Sequence, residues 1–272
     1  MKKLIYVIAL VLILFTCYFY YFDTIADDGI GILTYHSINE NPDKNEYIIT
    51  PDTFEKMIKS LSDEHFHFLD LKELEDIIYN NKPLPKKSVL ITFDDGYKDN
   101  YTIVYPILKK YNAKASIFLI GAYIDRDGFL SRSDIREMAE SGIVDFGNHS
   151  YNLHDLFLDG PNKGKTYMSA KLEGESDEHY ANKIYNDLVW NNQVIYNESS
   201  FFPNAIAYPG SMVNDIILKE TKKSGLKLGF VGAKKTPSRL SNLNPFEINR
   251  FHIKESTNIK RLVRYLKGRE RN

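Results

Sequence analysis

Two clusters in this 272-residue sequence hold the residue types that do chemistry. The stretch SVLITFDDGYKDN, from Ser88 to Asn100, runs through six mostly apolar residues and stops on Asp94, Asp95 and Gly96. Like charges on adjacent residues repel, and neither is cheap to desolvate. The pair therefore either sits in water as a plain turn or lines a cleft where something requires both. The second cluster, GNHSYNLHDL, carries His149 and His154. Their spacing is too long for one helix face, which needs i, i+4, but on a turn leaving a strand the two rings can converge. One carboxylate with two neutral imidazoles is a recurrent site for zinc or iron. Read alone, the two histidines remain either ligands or polar turn residues.

The elements that must position them are legible as alternation. Apolar, strand-like runs fall at 31–36, 88–93, 115–120, 143–148, 205–209, 228–232 and 247–253. Segments of helical period lie between several of them. PDTFEKMIKSL puts Phe54, Met57, Ile58 and Leu61 on one face, YTIVYPILKKY follows the Asp pair, and SDIREMAESG and NDIILKETKKSG end on Gly142 and Gly225 as C-caps. Strands alternating with helices predict an α/β fold with a mainly parallel sheet, and about seven units without a glycine-rich dinucleotide turn favour barrel-like closure. Such sheets place their chemistry at the C-terminal ends of strands, where Asp94-Asp95, NHS and YPG all stand. Residues 157–182 read as a long polar loop before the helix EHYANKIYNDLVWNNQVI, and the basic tail KRLVRYLKGRERN reads as a solvated terminal helix.

Composition bounds the function class. The net charge of −1 and pI near 6.7 argue against a nucleic-acid binder. Cys17 is the single cysteine, so there is no internal disulfide and no cysteine-rich metal site. Lys2 and Lys3 precede a run without charge from Leu4 to Phe22, which as a helix would span about 28 Å, close to a bilayer core. An uncleaved signal-anchor is expected, dividing the chain into 1–28 (anchor and tether) and 29–272 (catalytic domain) and placing the latter outside the cytoplasm. Cleavage after Ala26 and lipidation of Cys17 are the competing fates. Among lesser features, His36 reads as a structural histidine, with lining of the cleft as the alternative, His65, His67 and His179 have no partner pattern, and DRDG (125–128) reads as a turn.

The motifs TFDDGY, HSYNLH and AYPG, in that order, resemble the NodB-homology polysaccharide deacetylases of carbohydrate esterase family four. YHSI, FLSRSDIREMAESGIVDFGNHSYNLH, LEGES and NPFEINRFHI extend the likeness, over roughly residues 30–255, to the branch with the poly-β-1,6-N-acetylglucosamine deacetylases. The resemblance implies a distorted (β/α) barrel. It implies that Asp94 is the general base and that Asp95, His149 and His154 hold one divalent metal. Zinc is expected, with cobalt, nickel or iron as alternatives. By the same likeness the backbone N–H of Gly210 faces the oxyanion, His252 is the general acid (or a polar residue flanking a strand), and Arg250 orients Asp94 (or forms a surface salt bridge). Tyr151 and Tyr208 either stack on sugar rings or pack. Two departures stand out: Gly210 replaces the aromatic that often follows the Pro of the third motif, and no arginine precedes it in NAIAYP; Asn249 stands where the branch has Pro before Arg250.

The implied protein is a monomeric, membrane-anchored, extracytoplasmic N-deacetylase of a GlcNAc-containing polymer, with the β-1,6 type favoured over peptidoglycan or chitin oligomers. An O-acetyl esterase of the same family is an alternative. A carbohydrate-binding protein on an inactive barrel is another, and retention of Asp94, Asp95 and both histidines argues against it.

Overall fold

The structure, a computed structural model, describes residues 6–12, 26–42, 45–232 and 236–268. Strands β1 (Ile32–Tyr35), β2 (Ser37–Ile38), β3 (Ile48–Ile49), β4 (His67–Leu69), β5 (Ser88–Phe93), β6 (Ala115–Leu119), β7 (Val144–Asn148), β8 (Ala205–Ala207), β9 (Leu228–Val231), β10 (Ile248–Asn249) and β11 (Phe251–His252) are interleaved with helices. The helices are α1 (residues 6–12), α2 (Pro51–Asp63), α3 (Leu71–Tyr79), α4 (Tyr105–Tyr111), α5 (Arg132–Glu140), α6 (Asp177–Ser199), α7 (Asp215–Lys223) and α8 (Ile259–Leu266).

The main sheet runs β10-β9-β8-β7-β6-β5-β1-β11, every pairing parallel, with β4 beside the first half of β5. Its two ends are one segment of chain: Ile248–Asn249 pairs with β9, and Phe251–His252 pairs with β1. The sheet therefore comes round to a nearly closed barrel. The single strand expected over 247–253 is thereby broken at Arg250, which belongs to neither ladder.

Alternation along the strands sorts the core into two layers. Ile32, Leu90, Phe118, Ala207, Phe230 and Ile248 form one cluster within the barrel, whereas Leu33, Ile91, Phe93, Ile117 and Phe146 belong to another that packs against α2, α4 and α5 residues. Both faces are buried, as a parallel sheet under helices requires. Caps hold the helices in place: Ser131 and Asp134 form a reciprocal capping box on α5, and Asp70, Ser176, Asn214 and Asn258 cap α3, α6, α7 and α8. Each is worth about 1 kcal/mol.

Several expectations change. β4 and α3 had no separate sequence reading; three residues are too few to show a period of two, and α3 is only nine residues long. Helix α6 starts at Asp177, inside the expected loop, and Met168 and Ala170 of that loop are buried. The tail helix α8 is not simply solvated, since Val263 and Leu266 are buried in the main cluster and the helix lies on α2. Most of the run 4–22 lies outside the described residues; among those described, no helix is long and apolar enough to cross a membrane.

Candidate active site

Asp94 and Asp95 leave the end of β5 in opposite directions. The backbone makes this possible: Asp95 and Gly96 both have positive φ (74° and 77°). Aspartate is among the few residues that tolerate this region. At Gly96 a side chain is excluded twice over, because a Cβ would also lie 2.7 Å from Cδ2 of Leu119. Two successive left-handed residues turn the chain sharply and separate the two carboxylates.

Asp94 faces into the barrel. Arg250 grips it bidentately, Nη1 to Oδ1 and Nη2 to Oδ2, each at 2.7 Å, with both residues buried. The guanidinium rests above Phe118 and Phe230, 5.8 and 6.0 Å from the ring centroids. Burial alone would raise the Asp94 carboxyl, but Arg250 and then His149 hold it below its usual value. Arg250 is thus buried against Asp94 and is not a surface salt bridge. Asn249 does not divert it: its N–H donates to Ser238 Oγ at 2.9 Å, a bond that proline would lack.

Asp95 faces the histidines. Its Oδ1 lies 3.4 Å from His149 Nε2 and 3.2 Å from His154 Nε2. Two atoms each about 2.0–2.1 Å from a tetrahedral ion are separated by about 3.4 Å, so the observed spacing suits a shared cation. The donor chemistry agrees. His149 Nδ1–H donates to the carbonyl of Ala207 at 2.7 Å, which leaves Nε2 to present a lone pair. Asp95 Oδ1 is buried without a hydrogen-bond partner. Burial works against the Asp95 charge, but the closeness of His149 and His154 holds its carboxyl well below the usual range. Asp95, His149 and His154 are the one such group among the described residues.

The loop carrying His154 is held from behind. Asp187 of α6 accepts the N–H groups of Tyr151 (2.9 Å) and Asn152 (2.8 Å), and Asn148 Oδ1 accepts from Ser150 N–H (2.7 Å). Asn191 and Asn192 continue this buried network, Asn191 Nδ2 donating to Asn148 Oδ1 at 3.0 Å and Asn148 Nδ2 to Asn192 Oδ1 at 2.7 Å. Asp187, Asn191 and Asn192 had no signal in the sequence; polar residues on a helix read as surface until the fold buries them.

Asp94, Asp95, His149, His154 and Arg250 line one cleft of about 430 Å³, together with Gly210, His36, His252, Tyr47 and Tyr97. Gly210 adopts φ 59° in the turn after β8. His252 does line the cleft, but burial and then His36 push its pKa down to about 4, so it is neutral at neutral pH. His36 is a correction: its Nε2 sits 3.8 Å from Asp94 Oδ2, within the chemical centre rather than the scaffold. Tyr208 and Tyr151, open in the sequence between sugar stacking and packing, differ here: Tyr208 borders the cleft and Tyr151 does not. The Tyr208 ring is buried beside Gly229, where a Cβ would lie 2.5 Å from its hydroxyl, and it packs beneath α6 and α7. Tyr151 turns its ring toward Trp190 (6.0 Å, 79°) and does not line the cleft. The DRDG segment is a turn, as expected, and Asp125 binds Arg132.

A family model described as polysaccharide deacetylase matches residues 81–229. The poly-beta-1,6-N-acetyl-D-glucosamine N-deacetylase of Staphylococcus epidermidis is 34% identical over 221 residues, covering 73% of this chain and 70% of the relative. The enzyme of the same name from Staphylococcus aureus strain MSSA476 is 32% identical over 202 residues, covering 72% and 65%. The matches thus span only about two thirds of these relatives' lengths. Among solved structures, the Streptococcus pyogenes deacetylase PplD in complex with acetate superposes with a TM-score of 0.74 at 25% identity, covering 88% of this chain and 98% of that one. IcaB from Ammonifex degensii has the same fold, with a TM-score of 0.74 at 24% identity over 90% and 100% of the two chains.

Proposed function

This chain belongs to the polysaccharide deacetylase family, and on that premise we propose that it removes N-acetyl groups from a GlcNAc-containing extracellular polysaccharide. The observation that carries the reading is the split between two adjacent carboxylates: Asp94 is committed to Arg250, Asp95 to two histidines. The polymer we favour is poly-β-1,6-GlcNAc, supported by the activity named for the staphylococcal relatives. Peptidoglycan and chitin oligomers are the runner-up substrates.

The reaction cleaves an amide with water, giving acetate and a free amine. Asp95, His149 and His154 are the residues that would hold a divalent cation, zinc being our choice. When bound, such an ion supplies Lewis acidity that polarises a carbonyl and acidifies water. Asp94, kept ionised by Arg250, accepts the proton of the attacking water. The backbone N–H of Gly210 is our choice to face the oxygen that becomes negative. As the C–N bond breaks, the nitrogen takes a proton from a general acid. His252 is the residue we first assign to this step; being neutral in the free protein, it donates only after taking up the proton that Asp94 has collected from the attacking water. The 3.8 Å approach of His36 to Asp94 supports a second reading, in which His36 relays the proton that Asp94 has collected. Replacing each by Gln separates the two, since the true donor loses turnover, by about 10²–10⁴-fold, and the other does not.

We place this domain outside the cytoplasm, tethered through residues 4–22, on the support of two lysines followed by an uncharged run. It is proposed to act as a monomer. The substrate test is acetate release from β-1,6-GlcNAc oligomers, chitin oligomers, peptidoglycan and acetylxylan, with and without chelator. Release from the β-1,6 oligomers that chelator abolishes is expected; chelator-sensitive release from acetylxylan alone would instead favour an O-acetyl esterase.

A further inference from the structure

The cleft stands at the C-terminal ends of the strands. At the opposite end of the barrel, where the strands begin, large apolar side chains face water. Phe201 and Phe202, in the turn between α6 and β8, are 69% and 56% exposed, and Tyr196 near the end of α6 lies 6.4 Å from the Phe202 ring. The patch continues across the barrel end. The carbonyl of Asn204 accepts from Lys227 N–H at 2.7 Å, and the carbonyl of Lys227 accepts from Tyr79 Oη at 2.9 Å. Tyr79, itself 45% exposed, borders a pocket lined by Ile78, Leu84, Leu240, Leu243 and Pro245. Contiguous apolar surface rimmed by polar groups marks a face that meets another body.

Two observations say what that body is. The first is where the chain enters. Leu240 N–H donates to the carbonyl of Asp28 at 2.9 Å, and Arg239 Nε donates to Asp28 Oδ1 at 2.9 Å, so the chain joins the barrel beside this pocket. Five residues, 23–27, separate Asp28 from the uncharged run that ends at Phe22. Fully extended, that connection reaches about 20 Å. A bilayer holding the run therefore lies against this end of the barrel, not against the cleft. The second observation is charge. The loops that build the face, 80–87, 200–204, 224–227 and 240–247, carry Lys82, Lys86, Lys87 and Lys227 against Glu247 alone. Lysines beside exposed aromatic rings suit the boundary of an anionic membrane, where rings sit at headgroup depth and ammonium groups meet lipid phosphates.

We propose that this end of the barrel docks on an anionic bilayer. Phe201 and Phe202 enter the headgroup region, Lys82, Lys86 and Lys227 face lipid phosphates, and the cleft opens away from the membrane. The proposal rests on the tether reading and adds an orientation to it: the polymer is met on the outer side and does not pass between protein and lipid.

The test uses the full chain in vesicles of phosphatidylcholine and phosphatidylglycerol with brominated acyl chains, which quench nearby tryptophan. Trp190→Phe removes the single native tryptophan. In that background Phe201→Trp reports on the docking face, and Leu158→Trp, in the connection between β7 and α6, reports on the cleft end. Phe201→Trp emission is expected to fall about twofold or more, as for a ring at headgroup depth, with Leu158→Trp unchanged. Adding Lys86→Glu and Lys227→Glu, or using phosphatidylcholine alone, is expected to restore most of the emission. An unquenched Phe201→Trp, or quenching of Leu158→Trp in its place, overturns the docking. Quenching that survives both changes overturns the assignment to anionic lipid. A Phe201→Trp emission that shifts to the blue with protein concentration in detergent, and not with lipid, overturns it in favour of a second copy of the chain. Flotation of the parent with the vesicles tests the tether separately; a parent that does not float refutes the tether, and quenching by added vesicles still decides the docking face.

Discussion

At the scale of the residue, the Asp94–Arg250 pair sets what the site can do. A bidentate guanidinium–carboxylate contact is strong and directional, but because both groups are buried, removing one strands the other. Arg250→Met is therefore expected to cost about 3–5 kcal/mol of stability, read as a lower denaturant midpoint, together with most of the turnover. Arg250→Lys keeps the charge and loses the fork, so it should recover stability better than activity; equal recovery of both would show that charge alone suffices. Asp94, Asp95, His149, His154 and Arg250 were legible in the sequence because their spacing and motifs travel together. His36 was legible only as the less favoured of two readings: a histidine closing a first strand does not show that β1 lies beside β5, so that its ring reaches Asp94. Tyr208 was open between cleft and packing because a residue next to Pro209 can serve both; it borders the cleft while its buried ring packs against α6 and α7 residues.

At the scale of the element, α6 is the frame for the loop that carries His154. Asp187 accepts two backbone N–H groups of that loop. Asp187→Ala should weaken metal binding by about 10–100-fold, measured by competition with a chromophoric chelator, with the thermal transition of the metal-free protein shifted far less. Unchanged affinity would remove α6 from the account. β7 makes a separate, pH-dependent prediction. Asp145 Oδ2 accepts from Leu71 N–H at 2.8 Å, and burial, with Asp70 adding to it, pushes its carboxyl up to about 6. The folded state then holds a proton that the unfolded chain releases, so this group's ionisation lowers stability as pH rises from about 4 to 6. Asp145→Asn keeps the acceptor without the charge. Its stability relative to the parent should grow across that window and level off above it; a gain independent of pH would contradict the assignment. Neither residue was visible in the sequence, because both act through backbone groups far along the chain.

At the scale of the whole molecule, the barrel closes through one short segment, and the closure positions the chemistry. Ile248–Asn249 and Phe251–His252 hydrogen-bond to opposite ends of the sheet, and the break between them turns Arg250 inward. The alternation of strands and helices announced the α/β class and the number of staves, since runs of buried aliphatic residues are what a parallel barrel demands. It did not announce the break, which no period in EINRFHI marks, nor the burial of α8, whose charged residues hid Val263 and Leu266. The central claim is that one carboxylate moves a proton while its neighbour holds a metal. The measurement that tests it most directly is metal content together with acetate release from β-1,6-GlcNAc oligomers for Asp94→Asn and Asp95→Asn. The account predicts that Asp94→Asn keeps its metal and loses turnover, whereas Asp95→Asn loses both. Full activity in both variants, or metal retained in Asp95→Asn and lost in Asp94→Asn, would contradict it.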